Sequence, residues 1–310
     1  MQEEYKVYGK RLILVLGRRS VVEQLTPDDF LRLRADFQKT HKSLVSIKGD
    51  IRKIKAFFNF ALDERHLERA VRYGQGFKVP SATVLRRERE RKGIRMFQAD
   101  QIRSLLSLAK AQMKAMILLG INCGFGNNDC AMLSKRAVEL PGGWVNFTRP
   151  KTSSRRHNPL WPETVEALKA VLQQRKEARD PTYKNRVFIT CKLEPWTPKY
   201  VHDSPISKEF KKLLIDAHLD DCPGFYGLRH TFATIALKTK DRDAVRVMMG
   251  HAAGANDMLA VYNEEDVDEE RLLIVSNYVH NWLFKQSVQS SANVEMGDSS
   301  ELVAGASGVA

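Results

Sequence analysis

The sequence predicts a mainly α-helical chain with one small antiparallel β-sheet, divided into two domains. Three observations carry that prediction. Apolar residues recur at helical spacing through 26–62 and through most of 98–285. A charged run, Arg86-Arg87-Glu88-Arg89-Glu90-Arg91-Lys92, ends at Gly93 and separates a strongly basic segment from a nearly neutral one. Pro141-Gly142-Gly143 is a turn signal set between short extended stretches, where a hairpin is expected.

The elements follow in order. Thr26-Pro27-Asp28-Asp29 starts a helix: a capping hydroxyl, proline in the first turn, and two acids at the positive end of the dipole. Phe30, Leu31, Leu33 and Phe37 continue it. A second helix spans about Leu44–Leu62, with Ile47, Ile51, Ile54, Phe58 and Leu62 on one face. Gly74-Gln75-Gly76 and Pro80-Ser81 break the pattern, and the charged run reads as a solvated linker, so the boundary falls near 86–95. Beyond it, helices are expected at Gln98–Lys110 and Met113–Cys123, strands at Trp144–Phe147 and His157–Trp161, and an amphipathic helix at Glu163–Arg179. A strand at Arg186–Thr190, a helix capped by Ser207 and running to Ala217, and helices near 228–238, 243–250 and 267–285 complete the reading. Residues 287–310, rich in Ser, Ala, Gly and Val, are expected to be a disordered tail.

Charge narrows the function. Residues 1–95 hold 23 Lys and Arg against 12 Asp and Glu, a net +11 of the chain's +13. A domain this basic points to a polyanion, nucleic acid first, and the asymmetry favours DNA as the partner. The competing reading is an ordinary solvated basic face. Arg52, Lys53 and Lys55 lie mostly away from the second helix's apolar stripe and are candidate phosphate contacts. No apolar run reaches transmembrane length, and Met1-Gln2-Glu3-Glu4-Tyr5-Lys6 lacks the layout of a signal peptide, so a cytoplasmic protein is expected. Four cysteines without CxxC spacing fit a reduced compartment, and the scattered histidines give no zinc pattern.

The chemistry lies near the C-terminus. Tyr226-Gly227-Leu228-Arg229-His230 is followed by Gly250-His251 and, eleven residues later, by Tyr262. This ordered set resembles the C-terminal half of the tyrosine recombinase, or phage integrase, active site, and the likeness covers about residues 20–285. The resemblance implies a helical DNA core-binding domain at 1–88 and a catalytic domain at 95–286. It also implies cleavage and rejoining of duplex DNA through a 3′-phosphotyrosine, with no metal or other cofactor, and self-association on DNA as a dimer or tetramer. By position, Tyr262 matches the nucleophile, Arg229 the box arginine and His251 the later histidine. Lys151 matches the hairpin lysine that protonates the leaving 5′-oxygen, with Arg149, Arg155 and Arg156 nearby as alternatives or DNA contacts. His230 reads as a packing or supporting residue.

Two positions depart from the pattern. The family's Thr-Gly-x-Arg-x-x-Glu reads here Cys123-Gly124-Phe125-Gly126-Asn127-Asn128-Asp129, so glycine stands where the first arginine belongs. No arginine occurs between Arg103 and Arg136. Tyr226 replaces the box histidine, a mild change, because a phenol still hydrogen-bonds a phosphate. Losing a transition-state arginine costs about 10³–10⁵ in rate. The expected compensation is Arg155 or Arg156 reaching from the hairpin end. The alternatives are a weak or inactive DNA-binding protein of the same fold, and a helical scaffold with a fortuitous motif. The glycine itself suggests a divergent subgroup of integrases. The family also has one more helix before the Thr26 segment, which this reading takes to be missing.

Overall fold

The computed structural model describes residues 2–41, 43–91, 93, 95–149, 153–197, 204–251 and 267–285. The described chain is mainly helical with one three-stranded antiparallel sheet, and it divides into two compact units, Met1–Ile94 and Arg95–Ala310.

The first unit contains α1 (Gln2–Leu16), α2 (Pro27–Thr40), α3 (Leu44–Asp63) and α4 (Ala82–Arg91). Thr26 and Asp29 form the capping box of α2, the Thr26 amide donating to Asp29 Oδ2 at 2.9 Å. Phe30, Leu33 and Phe37 from α2 meet Ile47, Ile51, Ile54 and Phe58 from α3 in a core that Phe77 closes. Helix α1 corrects the expectation that nothing helical precedes Thr26. It escapes pattern reading because it buries only Tyr8 and Leu12, one turn apart, while Val7, Ile13 and Leu14 stay exposed. Tyr8 Oη donates to the buried Asp50 Oδ1 at 2.5 Å, and His41 Nε2 lies 2.7 Å from Asp50 Oδ2, which ties three segments together. The charged run also differs from expectation. Its described residues, Arg86 to Arg91, lie in α4, which the Ser81 hydroxyl starts by accepting from the Val84 amide, and none of them is a buried residue.

The second unit is built around α6 (Ala111–Asn122), buried from Ala115 through Asn122. A helix apolar on every side belongs at the centre of a domain. Against it pack α5 (Ala99–Leu108), α8 (Pro162–Gln174), α10 (Tyr226–Ala236) and α12 (Glu269–Phe284). The short α7 (Asn127–Met132), α9 (Pro205–Asp216) and α11 (Arg242–Met249) complete the described helices. The sheet has order β1 (Val138–Glu139), β2 (Trp144–Asn146), β3 (His157–Pro159), with Val145 opposite Asn158. Asn122 holds α6, β3, α8 and α12 together. Its amide nitrogen donates to Pro159 O (3.0 Å) and Ser276 Oγ (3.2 Å), and its oxygen accepts from Trp161 N and Thr164 Oγ1.

Two expected elements end differently. The helix after Pro162 stops at Gln174, because Arg175 leaves it and turns its guanidinium onto the carbonyls of Tyr183, Lys184 and Arg186. Arg186–Thr190 is not a strand. Its apolar run is buried, but its pairing amounts to isolated bridges, Ser134 with Arg186 and Ile189 with Pro195. Burial, not a ladder, explains that pattern. The cap of α9 is Ser204 and not Ser207. The tail at 287–310 lies outside the described residues.

Candidate active site

Arg229 sits early in α10 on the face that also carries Gly227, Leu228, Thr231 and Phe232, all buried. That face carries the guanidinium into the domain, where it is only 1% exposed. Nη1 donates to Gly124 O at 2.5 Å, and Nη2 donates to Met249 O at 2.8 Å and lies 2.9 Å from His251 Nε2. One side chain therefore joins the α6–α7 turn, the end of α11 and the residue beyond it. Gly124 makes this possible. Its φ is +63°, and a Cβ there would fall 2.8 Å from the Phe232 ring, so only glycine presents this carbonyl so close to α10.

The focus of the site is Asp129, buried in α7. Its Oδ2 accepts from the Gly126 amide at 2.9 Å and from Arg156 Nη2 at 3.1 Å, and lies 3.7 Å from Arg229 Nη1. Its Oδ1 lies 3.4 Å from Arg149 Nε. Three guanidinium groups thus surround one carboxylate.

Arg149 and Arg156 arrive there by strand alternation. Phe147 and Arg156 exchange backbone hydrogen bonds, and Arg149 N donates to Ser154 O, so the hairpin continues past β2 and β3. Val145, Phe147 and Arg149 then face inward with Asn158, Arg156 and Ser154 opposite, while Asn146 and Arg155 face out. Arg156 has no exposed side-chain surface, lies 4.9 Å over the Phe125 ring and donates to Met249 O at 2.6 Å. This corrects its reading as a surface DNA contact; Arg155 is the exposed one. Gly250, with φ +60°, supplies the room: a Cβ there would lie 2.8 Å from Arg156 Cγ and closer still to Nε.

The electrostatics follow from crowding. Burial pushes the Arg156 guanidinium down to about 10, Arg229 and Arg149 push it the same way, and Asp129 opposes them. Arg229 is lowered mainly by burial, against Tyr226 and Asp129. His251 is lowered by burial and by Arg229, Arg149 and Arg156, so at neutral pH the ring is uncharged. Its Nε2 faces an arginine N–H, which assigns its proton to Nδ1. A cleft of about 910 Å³ opens beside the group, lined by Tyr226, Arg229, Lys240, Arg242, Arg246 and His251 among others. The geometry describes an anion site: excess positive charge, low local dielectric and donors fixed by packing.

Residues 95–269, which carry all of these groups, match the model of the phage integrase family. The chain belongs to that family. Solved integrases share the fold of this phage integrase family member. The Tn1549 transposon integrase in complex with a circular intermediate DNA aligns with TM-score 0.60 at 19% identity, over 89% of this chain and 88% of that one. A lambda integrase dimer bound to a COC′ core site aligns with TM-score 0.58 at 12% identity, over 86% and 92%. A search of curated sequences finds no significant relative.

Within this integrase, Arg229, His251 and Tyr226 come together. Tyr226 is 46% exposed and meets the His230 ring at 5.2 Å. Lys151 and Tyr262 lie outside the described residues. In the first unit Arg52 is exposed, whereas Lys53 lies 5.3 Å over the Tyr8 ring and Lys55 lies 5.0 Å over the Tyr73 ring. No helix among the described residues is long and apolar enough to cross a membrane. Arg149, read from the sequence only as an alternative to Lys151, stands against Asp129. The signal was present in the period-2 alternation Val145, Phe147, Arg149, which turns it to the same side as two buried residues.

Proposed function

We propose that this integrase is a site-specific recombinase that cleaves and rejoins duplex DNA through a 3′-phosphotyrosine at Tyr262. The observation that supports it most is the arginine cluster on Asp129 beside His251, set at a basic cleft in a domain whose overall charge is nearly balanced. In the reaction, the Tyr262 hydroxyl gives up its proton to water and its oxygen bonds to the scissile phosphorus as the bond to the 5′-oxygen breaks, and Lys151 supplies the proton that leaves with that oxygen. One phosphodiester replaces another, so no external energy source or cofactor is required. Arg229 supplies buried positive charge beside the non-bridging oxygens, its Nη groups already donating to Gly124 O, Met249 O and His251, and His251 adds a donor to the phosphate. Both structural neighbours named above were captured on DNA, and the lambda integrase was captured as a dimer. We extend DNA binding and self-association on DNA to this chain on that basis. The first unit serves as the core-binding module, its charge and Arg52, Lys53 and Lys55 tracking phosphates. A cytoplasmic enzyme of a mobile element, from an integrase subgroup that carries glycine at position 126, fits the same reading.

Gly126 favours a second reading, a DNA-binding protein of this fold with little or no cleavage. A suicide assay separates the two. Nicked duplexes tiling the DNA that flanks the gene are incubated with wild type and with Tyr262→Phe. The proposal expects an SDS-resistant adduct from wild type alone. Tight binding of both proteins without any adduct establishes the second reading.

A further inference from the structure

Gly126 leaves the site one guanidinium short on the side of the phosphate, and two arginines of the hairpin lie close to that gap. They are not equivalent. Arg156 has no exposed side-chain surface and is enclosed by the Phe125 ring, Gly250, Asp129 and Met249 O. Its Nε and Nη1 find no acceptor among the described residues. Arg149 is 17% exposed and reaches Asp129 through Nε, and this is its only side-chain hydrogen bond among the described residues. Its two Nη groups have no hydrogen-bond partner among the described residues.

We propose that Arg149 contacts the scissile phosphate in place of the guanidinium absent at Gly126, with Asp129 and the buried Arg156 as positioning residues. The charge balance makes the case. Arg149, Arg156 and Arg229 against one Asp129 leave an excess of two positive charges in a packed interior. Such an excess raises the energy of the empty site and is relieved when an anion enters. Arg229 and Arg156 already spend donors on Met249 O, so they hold the end of α11 and His251 in place. Tyr226 stands against position 126. A Cβ at position 126 would stand 3.1 Å from its half-exposed ring, a tight contact that the ring can relieve only by shifting.

This inference rests on the phosphoryl-transfer reading, so its test has two arms. In the first, inorganic phosphate is titrated into wild type, Arg149→Lys and Arg149→Ala, and the arginine Nε–H resonances are followed by NMR. Arg149 and Arg229 should both shift and saturate in wild type, and Arg149→Ala should bind phosphate about 10–100-fold more weakly, the loss of one charge-assisted donor. A response from Arg229 without one from Arg149 overturns the proposal, as does no saturable binding at all. In the second, adduct formation on the nicked duplex at saturating protein should slow about 10²–10³-fold in Arg149→Ala. Arg149→Lys, which keeps the charge and the contact to Asp129 but not the fork, should recover part of the rate; thermal melting of each variant guards against loss of fold. Wild-type cleavage that survives Arg149→Ala overturns the inference. A wild type that never cleaves defeats the functional reading, and the phosphate arm then decides on Arg149 alone.

Discussion

Gly250→Ala tests whether Arg156 is packed where its role requires. Two costs add at this position. The residue ends α11 in the left-handed region at φ +60°, and an L side chain there costs about 1–2 kcal/mol. The second cost is specific to the site. The new Cβ would lie 2.8 Å from Arg156 Cγ and 3.1 Å from Cδ, so the arginine must move. Moving it breaks the bonds to Met249 O and Asp129 and leaves a buried carboxylate with one partner fewer, a change on the order of 3–5 kcal/mol. Gly143→Ala is the control in the same unit. Its φ is +71°, but the nearest atom to a Cβ is Leu160 O at 3.8 Å, an ordinary contact, so it carries the backbone cost alone. Urea denaturation of the two variants should therefore differ by at least about 2 kcal/mol. Pairing Gly250→Ala with Arg156→Met should recover much of the difference, since the flexible, uncharged chain can yield. Equal losses in Gly250→Ala and Gly143→Ala would refute the packing argument.

Other expectations follow from the same structure. Asn122→Leu should destabilise the second unit by about 2–4 kcal/mol in urea melts, because it strands the Trp161 amide and the Thr164 hydroxyl in the core. His251 has a lowered folded pKa, so the unfolded chain binds its proton first; stability is full above about 6.5 and falls as pH drops below that value. NMR titration should place its midpoint under 6.5 in the free protein and move it up when phosphate binds, and a midpoint above 6.5 without ligand would contradict the crowding of Arg229, Arg149 and Arg156 around it. DNA affinity should drop about 10³–10⁵-fold between 50 and 200 mM salt if the first unit engages six to ten phosphates, and a flat salt dependence would remove the role assigned to its charge.

Sequence alone carried the helical stripes and the site's outline because both are local. Ile47, Ile51, Ile54 and Phe58 repeat at helical spacing and are buried together. Arg229 and His251 are separated by two short helices whose buried faces fix their approach. What remained hidden is what tertiary packing decides. Helix α1 buries too few residues to leave a stripe, and Val187 and Phe188 mimic a strand because they are core without a ladder. Charge was the least legible feature. Arg155 and Arg156 are adjacent and identical in type, yet the pleat sends one to solvent and the other under Phe125. The loss at Gly126 was plain in the sequence, while the arginines that gather on Asp129 come from 20, 27 and 100 residues further on.

The central claim is the covalent link itself. After reaction with a nicked duplex, the adduct is digested with nuclease and protease, and the nucleotide-bearing peptide is sequenced by mass spectrometry. The account predicts a phosphotyrosine at Tyr262 carrying the 3′-nucleotide, with a free 5′-hydroxyl on the released strand. A linkage to any other residue, or a 5′-phosphate joined to the protein, would contradict it.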